Sequence, residues 1–260
     1  MEFRFAPLFS GSSGNALYVG AGDTRLLVDA GASCVRVFAQ LERAGVELRS
    51  LSAILVTHEH SDHIAGVGAL SRRLHLPVYA TEGTWLEMRP RLGPLLPENI
   101  RVIAPGQDFY IGRVNVMPFE IPHDAAEPVG YSFSLNGMKC AVATDIGCIK
   151  DRWMDEVSGS DMLLLEANHD VDMLRLGAYP AYLKRRILGE NGHLSNAACA
   201  GTVTSAVKRR AKTVVLAHLS RQNNTPELAY SEVAAALAKQ NLICDLRVAP
   251  QGWGETLYIK

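Results

Sequence analysis

Hydrophobic and polar residues along the 260-residue chain follow two rhythms. Short apolar runs bounded by Gly, Asn, Asp and Pro predict strands, and longer stretches with apolar positions every three to four residues predict helices. Strands are expected at Phe3–Phe9, Ala16–Val19, Thr24–Asp29, Ser52–Val56, Pro77–Ala80, Asn99–Ile103, Asp108–Ile111 and Val114–Phe119. Further strands are expected at Tyr131–Leu135, Lys139–Ala143, Met162–Leu165, Thr213–Ala217, Ile243–Val248 and Thr256–Ile259. Helices are expected at Val35–Ala44, Ile64–Leu74, Thr81–Met88, Pro180–Leu188, from the cap Ser195 to Arg210, and Pro226–Gln240, with a loop over Pro90–Pro97. Asn136-Gly137 marks a hairpin. The pattern is mixed α and β, with no linker or low-complexity segment, and reads as one domain over residues 1–260.

Between Ser52–Val56 and Ile64–Leu74 lies Thr57-His58-Glu59-His60-Ser61-Asp62-His63. His58 and His60 are two apart in an extended segment, which sends both side chains to one side. Ser61 is the expected N-cap, with Asp62 and His63 in the first helical turn. The positive helix end disfavours imidazolium and helps keep His63 neutral. Neutral imidazoles and ionised carboxylates are what a divalent cation needs, and ligands on two sides of one turn suit two adjacent cations. A polar loop with incidental histidines would not need this order of strand, His-x-His-x-Asp-His and helix.

Composition narrows the partners. Hydrophobic residues make up 48% and charged residues 20%, an ordinary globular balance, and the net charge is −1. Nucleic-acid binding would have to use a local patch. Lys184-Arg185-Arg186, Lys208-Arg209-Arg210 and Arg72-Arg73 are candidates for such contacts, or equally for solvated helix ends where cations are favoured. No apolar run approaches a membrane span, and the start of the chain lacks a signal-peptide core, so no membrane partner is expected. The five cysteines are scattered, without Cys-x-x-Cys, and read as reduced thiols in a cytoplasmic protein.

The His-x-His-x-Asp-His pattern resembles the signature of the metallo-β-lactamase fold superfamily. That resemblance implies an α/β (α+β) fold of four layers, an αββα sandwich. It also implies that His58, His60 and His123 hold one ion, that Asp62, His63 and His218 hold a second, and that Asp145 bridges. Asp29, read alone as a strand-end turn residue, would support the metal loop. A carboxylate at Asp145, where many lactamases carry cysteine, points to the hydrolase and phosphodiesterase branches, since a hard bridge between the two divalent ions tolerates Zn, Mn or Fe.

Glu166 and His193 resemble paired motifs of the tRNA 3′-end-processing branch, where such a pair helps protonate a departing oxygen; Asp62 is grouped with them as catalytic. His193 read alone could equally be a locally bonded helix-start residue. Phe9-Ser10-Gly11-Ser12-Ser13-Gly14-Asn15, His123-Asp124-x-x-Glu127-Pro128-x-Gly130-Tyr131, Glu166-Ala167-Asn168-His169-Asp170 and Gly192-His193-Leu194-Ser195-Asn196 are similar to the small bacterial YycJ-type proteins. That likeness implies a dinuclear metal-dependent phosphodiesterase, a DNA exonuclease working 5′ to 3′, with DNA as partner. The loop with Ser12, Ser13 and Asn15 is either a plain connection or a seat for a terminal phosphate. The competing readings are a hydrolase of small esters, thioesters or lactones, an RNA-processing nuclease, and a non-enzymatic metal-holding protein. The last predicts missing ligands, and none is missing.

Overall fold

The computed structural model describes residues 3–249 and the backbone of 257–259. In the first sheet are β1 (Phe3–Phe9), β2 (Ala16–Ala21), β3 (Thr24–Val28), β4 (Ala53–Leu55), β5 (Val78–Thr81) and β6 (Ile100–Ile103). The second holds β7 (Phe109–Ile111), β8 (Val114–Glu120), β9 (Val129–Leu135), β10 (Met138–Ala143), β11 (Met162–Glu166), β12 (Thr213–Ala217) and β13 (Asp245–Val248). A last strand, β14 (Leu257–Ile259), pairs antiparallel with β1; the expected start of this strand at Thr256 lies outside the described residues. The strand orders are β14-β1-β2-β3-β4-β5-β6 and β13-β12-β11-β10-β9-β8-β7.

The central strands of each sheet are buried on both faces, which explains their unbroken apolar runs, while the edge strands β6 and β13 are partly exposed. In β3, Leu26 and Val28 enter the core between the sheets and Leu27 points to the helices outside. In β11, Met162 and Leu164 face the other sheet, while Leu163 and Leu165 face outward. Helices α1 (Cys34–Arg43), α2 (Ser61–Ile64), α3 (Val67–Leu74) and α4 (Glu82–Leu92) follow strands of the first sheet. Residues of α1, α3 and α4 cover its outer face. Beyond them come α5 (Asp151–Val157), α6 (Val171–Leu176), α7 (Ala181–Ile187), α8 (Asn196–Arg209) and α9 (Pro226–Lys239). Of these, α5, α8 and α9 cover the second sheet. The result is the expected αββα order. No helix among the described residues is long and apolar enough to cross a membrane.

Four local expectations change. The cap of α2 is His60, with no side-chain cap bond, and Ser61 is its first helical residue. The expected single helix over Ile64–Leu74 breaks at Gly66, whose N–H donates to the Ala30 carbonyl at 2.7 Å. The helix α4 continues to Leu92 through Pro90, where a loop was expected. Proline removes a donor there, but only in the final turn, and Thr81 caps the other end by accepting from Thr84 N. Short α5 and α6 were not anticipated, because so few residues carry too little of the helical period.

The strands that run into the candidate residues all deliver them at one end of the sandwich. Asp29 follows β3, Thr57 and His58 follow β4, His123 follows β8, Asp145 follows β10, Glu166 ends β11 and His218 follows β12. Strands β3 and β4 are parallel, as are β10, β11 and β12. This is where open α/β sheets place ligands.

The loops at that end are laced by backbone bonds: Asn15 N to Asp62 O at 2.7 Å, Gly31 N to Asn15 O at 2.7 Å and Ala30 N to His63 O at 2.8 Å. A Cβ on Gly31 would lie 1.6 Å from Asp62 O, so only glycine allows this approach. Gly31→Ala should therefore destabilise the protein by roughly 1–3 kcal/mol and push the Asp62–His63 turn outward. Urea unfolding measures this, and an unchanged midpoint would show that the loops are not in tight contact.

Candidate active site

Asp29, Asp145 and His218 have φ of 59°, 61° and 56°. Left-handed backbone costs a non-glycine residue about 1–2 kcal/mol. Three candidate residues accept it directly after a strand, where the turn re-aims the side chain into the cluster.

The structure brings together every residue expected to hold an ion. His58, His60 and His123 converge, each offering one nitrogen, with the three atoms within 4.8 Å of one another. Asp62, His63 and His218 converge in the same way, as do His58, His63 and Asp145. Asp145 lies between the groups: its Oδ2 is 3.5 Å from His63 Nε2, and its Oδ1 is 3.5 Å from His218 Nε2 and 3.8 Å from His123 Nε2.

Hydrogen bonds on the far side of the rings fix which nitrogen faces inward. His63 Nδ1 is 2.8 Å from Asp29 Oδ2, and Asp29 also accepts from Thr57 N and Thr57 Oγ1, each at 2.8 Å. His123 Nδ1 donates to the Gly192 carbonyl at 3.2 Å. His218 Nδ1 is 2.9 Å from Glu166 Oε1. In the neutral ring, a proton on Nδ1 of each leaves Nε2 as the inward lone pair. The inward Nε2 atoms of His123 and His218 and the Asp145 Oδ2 are buried and have no hydrogen-bond partner. Buried polar atoms are otherwise almost always satisfied, so this set fits a divalent cation. Nitrogen and oxygen donors without thiolate suit Zn, Mn or Fe.

Glu166 is wholly buried and accepts four bonds. His193 Nδ1 and His218 Nδ1 meet its Oε1 at 2.8 and 2.9 Å, and the N–H groups of Ile146 and Leu194 reach Oε2 at 2.8 and 3.0 Å. Burial opposes its charge, but His193 and these bonds prevail and hold its carboxyl at about 2. His193 is likewise disfavoured as a cation by burial, yet Glu166 and Asp145 raise it to about 9. The pair is thus a carboxylate and an imidazolium at neutral pH. His193 and Asp62 line a cleft of about 240 Å³ beside the cluster.

The remaining expected residues divide. Ser12 is exposed and lines the cleft. Ser13 is exposed and its hydroxyl accepts from Arg221 at 2.9 Å. Asn15 is buried; its Oδ1 accepts from Gly11 N at 2.9 Å, and its Nδ2 lies 3.3 Å from Asp62 Oδ2 and 3.0 Å from His63 Nε2.

The basic clusters also separate. Arg186 lines the cleft and pairs with Asp124, the neighbour of His123. Arg209 and Arg210 pair with Asp155 and Asp161. Asp161 precedes β11, at the opposite end of the sheet from Glu166. Arg72 donates to the Leu92 carbonyl at 2.6 Å, and Arg73 lies over the Phe38 ring. Of these clusters, Arg186 is the member on the cleft wall. His169, quoted in a motif but given no role, is also buried, and neither ring nitrogen has a hydrogen-bond partner.

Two sheets between helices, with a histidine–aspartate cluster at the strand ends, define the metallo-β-lactamase class of fold. Residues 24–219 match the model of the Beta-lactamase superfamily domain, and the chain belongs to that family. It is 42% identical over 240 residues to the exodeoxyribonuclease YycJ of Bacillus anthracis, covering 92% of this chain and 91% of that one. It is 39% identical over 242 residues to the exodeoxyribonuclease WalJ of Streptococcus pneumoniae, covering 92% and 90%. Its fold superposes on the metallo-β-lactamase fold protein YhfI of Bacillus subtilis with a TM-score of 0.75 at 16% identity, covering 100% of both chains.

Protons compete with cations unequally at the two groups. Burial, foremost, lowers His58 and His123, so both are neutral near pH 7. Burial also acts against charge at His63, but Asp29 and Asp145 raise it to about 10, and Asp145 with Glu166 raises His218. A raised value means a proton must leave when a cation arrives. Affinity at the group holding His63 and His218 should therefore rise with pH, about tenfold per unit for each proton displaced, with the His63 contribution persisting up to about pH 10. The group containing His58 and His123, whose rings burial keeps neutral, should fill first with a shallower slope. Titration calorimetry in buffers of different ionisation enthalpy measures this, and identical proton release for the two steps would contradict it.

Proposed function

We propose that the chain is a metal-dependent phosphodiesterase that shortens linear DNA from its 5′ end. The names of two relatives that cover about nine-tenths of both chains support DNA as substrate and exonucleolytic action. The observation that carries the chemistry is the Glu166–His193 pair at 2.8 Å on the wall of the cleft. Thiolate and nitrophenolate leave without help, whereas a sugar alkoxide needs a proton. A hydrolase of thioesters would have no use for this donor.

We assign His58, His60 and His123 to one ion and Asp62, His63 and His218 to a second, with Asp145 between them. Zn, Mn and Fe all suit the set. When bound, such ions lower the pKa of water and offset charge on a phosphoryl group. The chain's own groups do the rest. The Asp62 carboxylate takes the proton of the attacking water. His193, with Nδ1 held by Glu166, carries its transferable proton on Nε2 and gives it to the departing sugar oxygen. Glu166 stays ionised and steadies both His193 and His218. Asp29 holds His63 through Nδ1. Ser12 and Ser13 meet the terminal phosphate, and Asn15 is assigned instead to positioning Asp62 and His63. The chain acts as one domain, in the cytoplasm, where its five cysteines stay as thiols.

His193→Ala should keep its ions and lose roughly 10²–10⁴-fold in turnover on DNA, with a nitrophenyl diester partly spared. Its proton is lost as pH rises, so wild-type turnover should fall on an alkaline limb at or below about pH 9, because bound cations repel the imidazolium. That limb should vanish in His193→Ala. Equal losses on both substrates would remove the proton-donor role. Incubation of linear and covalently closed circular DNA under the same conditions tests end recognition, and equal degradation of the two would mean internal cutting.

A further inference from the structure

Helix α7 serves no hydrophobic core. None of its residues is buried, and neither its side chains nor Tyr179 joins the three apolar clusters that anchor the sheets and other helices. Its two large aliphatic side chains, Leu183 and Ile187, are nonetheless on one side. Leu183 and Ile187, one turn apart, are half-buried and line the cleft, together with Tyr179 just before the helix. Neighbouring Ala181, Tyr182 and Arg185 are exposed. A surface helix turns its apolar stripe toward a core. This one turns it toward His193, His218 and Asp145.

The cleft therefore has a polar floor built to hold cations and an apolar, aromatic wall. Inorganic phosphate would use the floor alone. A ligand with an anionic group joined to a flat ring uses both. Arg186 also lines the cleft and, paired with Asp124, adds a guanidinium to it. We propose that Tyr179, Leu183 and Ile187 seat the base of the nucleotide whose phosphate lies at the histidine–aspartate cluster, with Tyr179 stacked on the base. This rests on the phosphodiesterase reading above and states how that site holds the nucleotide that carries the phosphate being cleaved. Stacking accepts any base, so the seat gives affinity without sequence preference.

The test is calorimetric binding of thymidine monophosphate and of deoxyribose phosphate to the manganese-loaded protein. The base should tighten binding roughly five- to hundredfold. Tyr179→Ala should close most of that gap and Tyr179→Phe should keep it, with metal content and thermal midpoint checked in each. The wild-type comparison needs no variant. Equal affinity for the two ligands, binding of neither, or equal weakening of both by Tyr179→Ala would overturn the seat. A parallel assay compares a thymidine nitrophenyl diester with a methyl nitrophenyl diester. The seat predicts a lower KM for the nucleoside diester. Base-dependent binding without cleavage of either diester would sink the phosphodiesterase reading and leave the seat. Cleavage of both with one KM would do the reverse.

Discussion

The molecule is built around a charge that it has buried. Asp145 is 2% exposed, and beside it lie the rings of His58, His63, His123 and His218, each 6% exposed or less. Leaving an ion uncompensated in such a place costs on the order of several kcal/mol. Without metal, protons reduce the cost, which is why His63 and His218 rise while Asp145 stays far below the usual carboxylate range. The arrangement still leaves Nε2 of His123 and His218 and one Asp145 oxygen without hydrogen-bond partners. Divalent cations would resolve all three at once.

Other features follow from holding those rings still. Left-handed turns at Asp29, Asp145 and His218 aim side chains inward from strand ends that are fixed by two sheets. Asp29, Glu166 and the Gly192 carbonyl take the outer ring nitrogens. Glu166 joins the cluster to the cleft wall, since one oxygen meets both His218 in the cluster and His193 on the wall. Any change at Glu166 would disturb both, whereas His193 can be altered alone.

Legibility in the sequence tracked distance along the chain. His58, His60, Asp62 and His63 lie within one strand-to-helix turn, so spacing alone exposed them. His123, Asp145 and His218 are single residues after separate strands, visible only through family resemblance, and sheet topology is what gathers them. The central strands were legible as unbroken apolar runs, whereas their stacking into four layers was visible only through the family resemblance. What could not be read depended on contacts between distant segments. Nothing local distinguishes Arg186 at the cleft from Arg210 at the far end of the sheet, and Asn15 reads as a turn residue until Asp62 is beside it. The same limit hid the role of α7, a helix expected from the sequence, because its apolar stripe looks like that of any core-facing helix.

The central claim is that this buried cluster is a cation site with Asp145 shared between two ions. The most direct measurement is metal content per chain by mass spectrometry after manganese reconstitution and removal of excess ion, for the wild type and Asp145→Ala. The account predicts two ions in the wild type and loss of occupancy in the variant, with both chains still folded by circular dichroism. A wild type that retains no ion, or an Asp145→Ala protein that retains two, would contradict it.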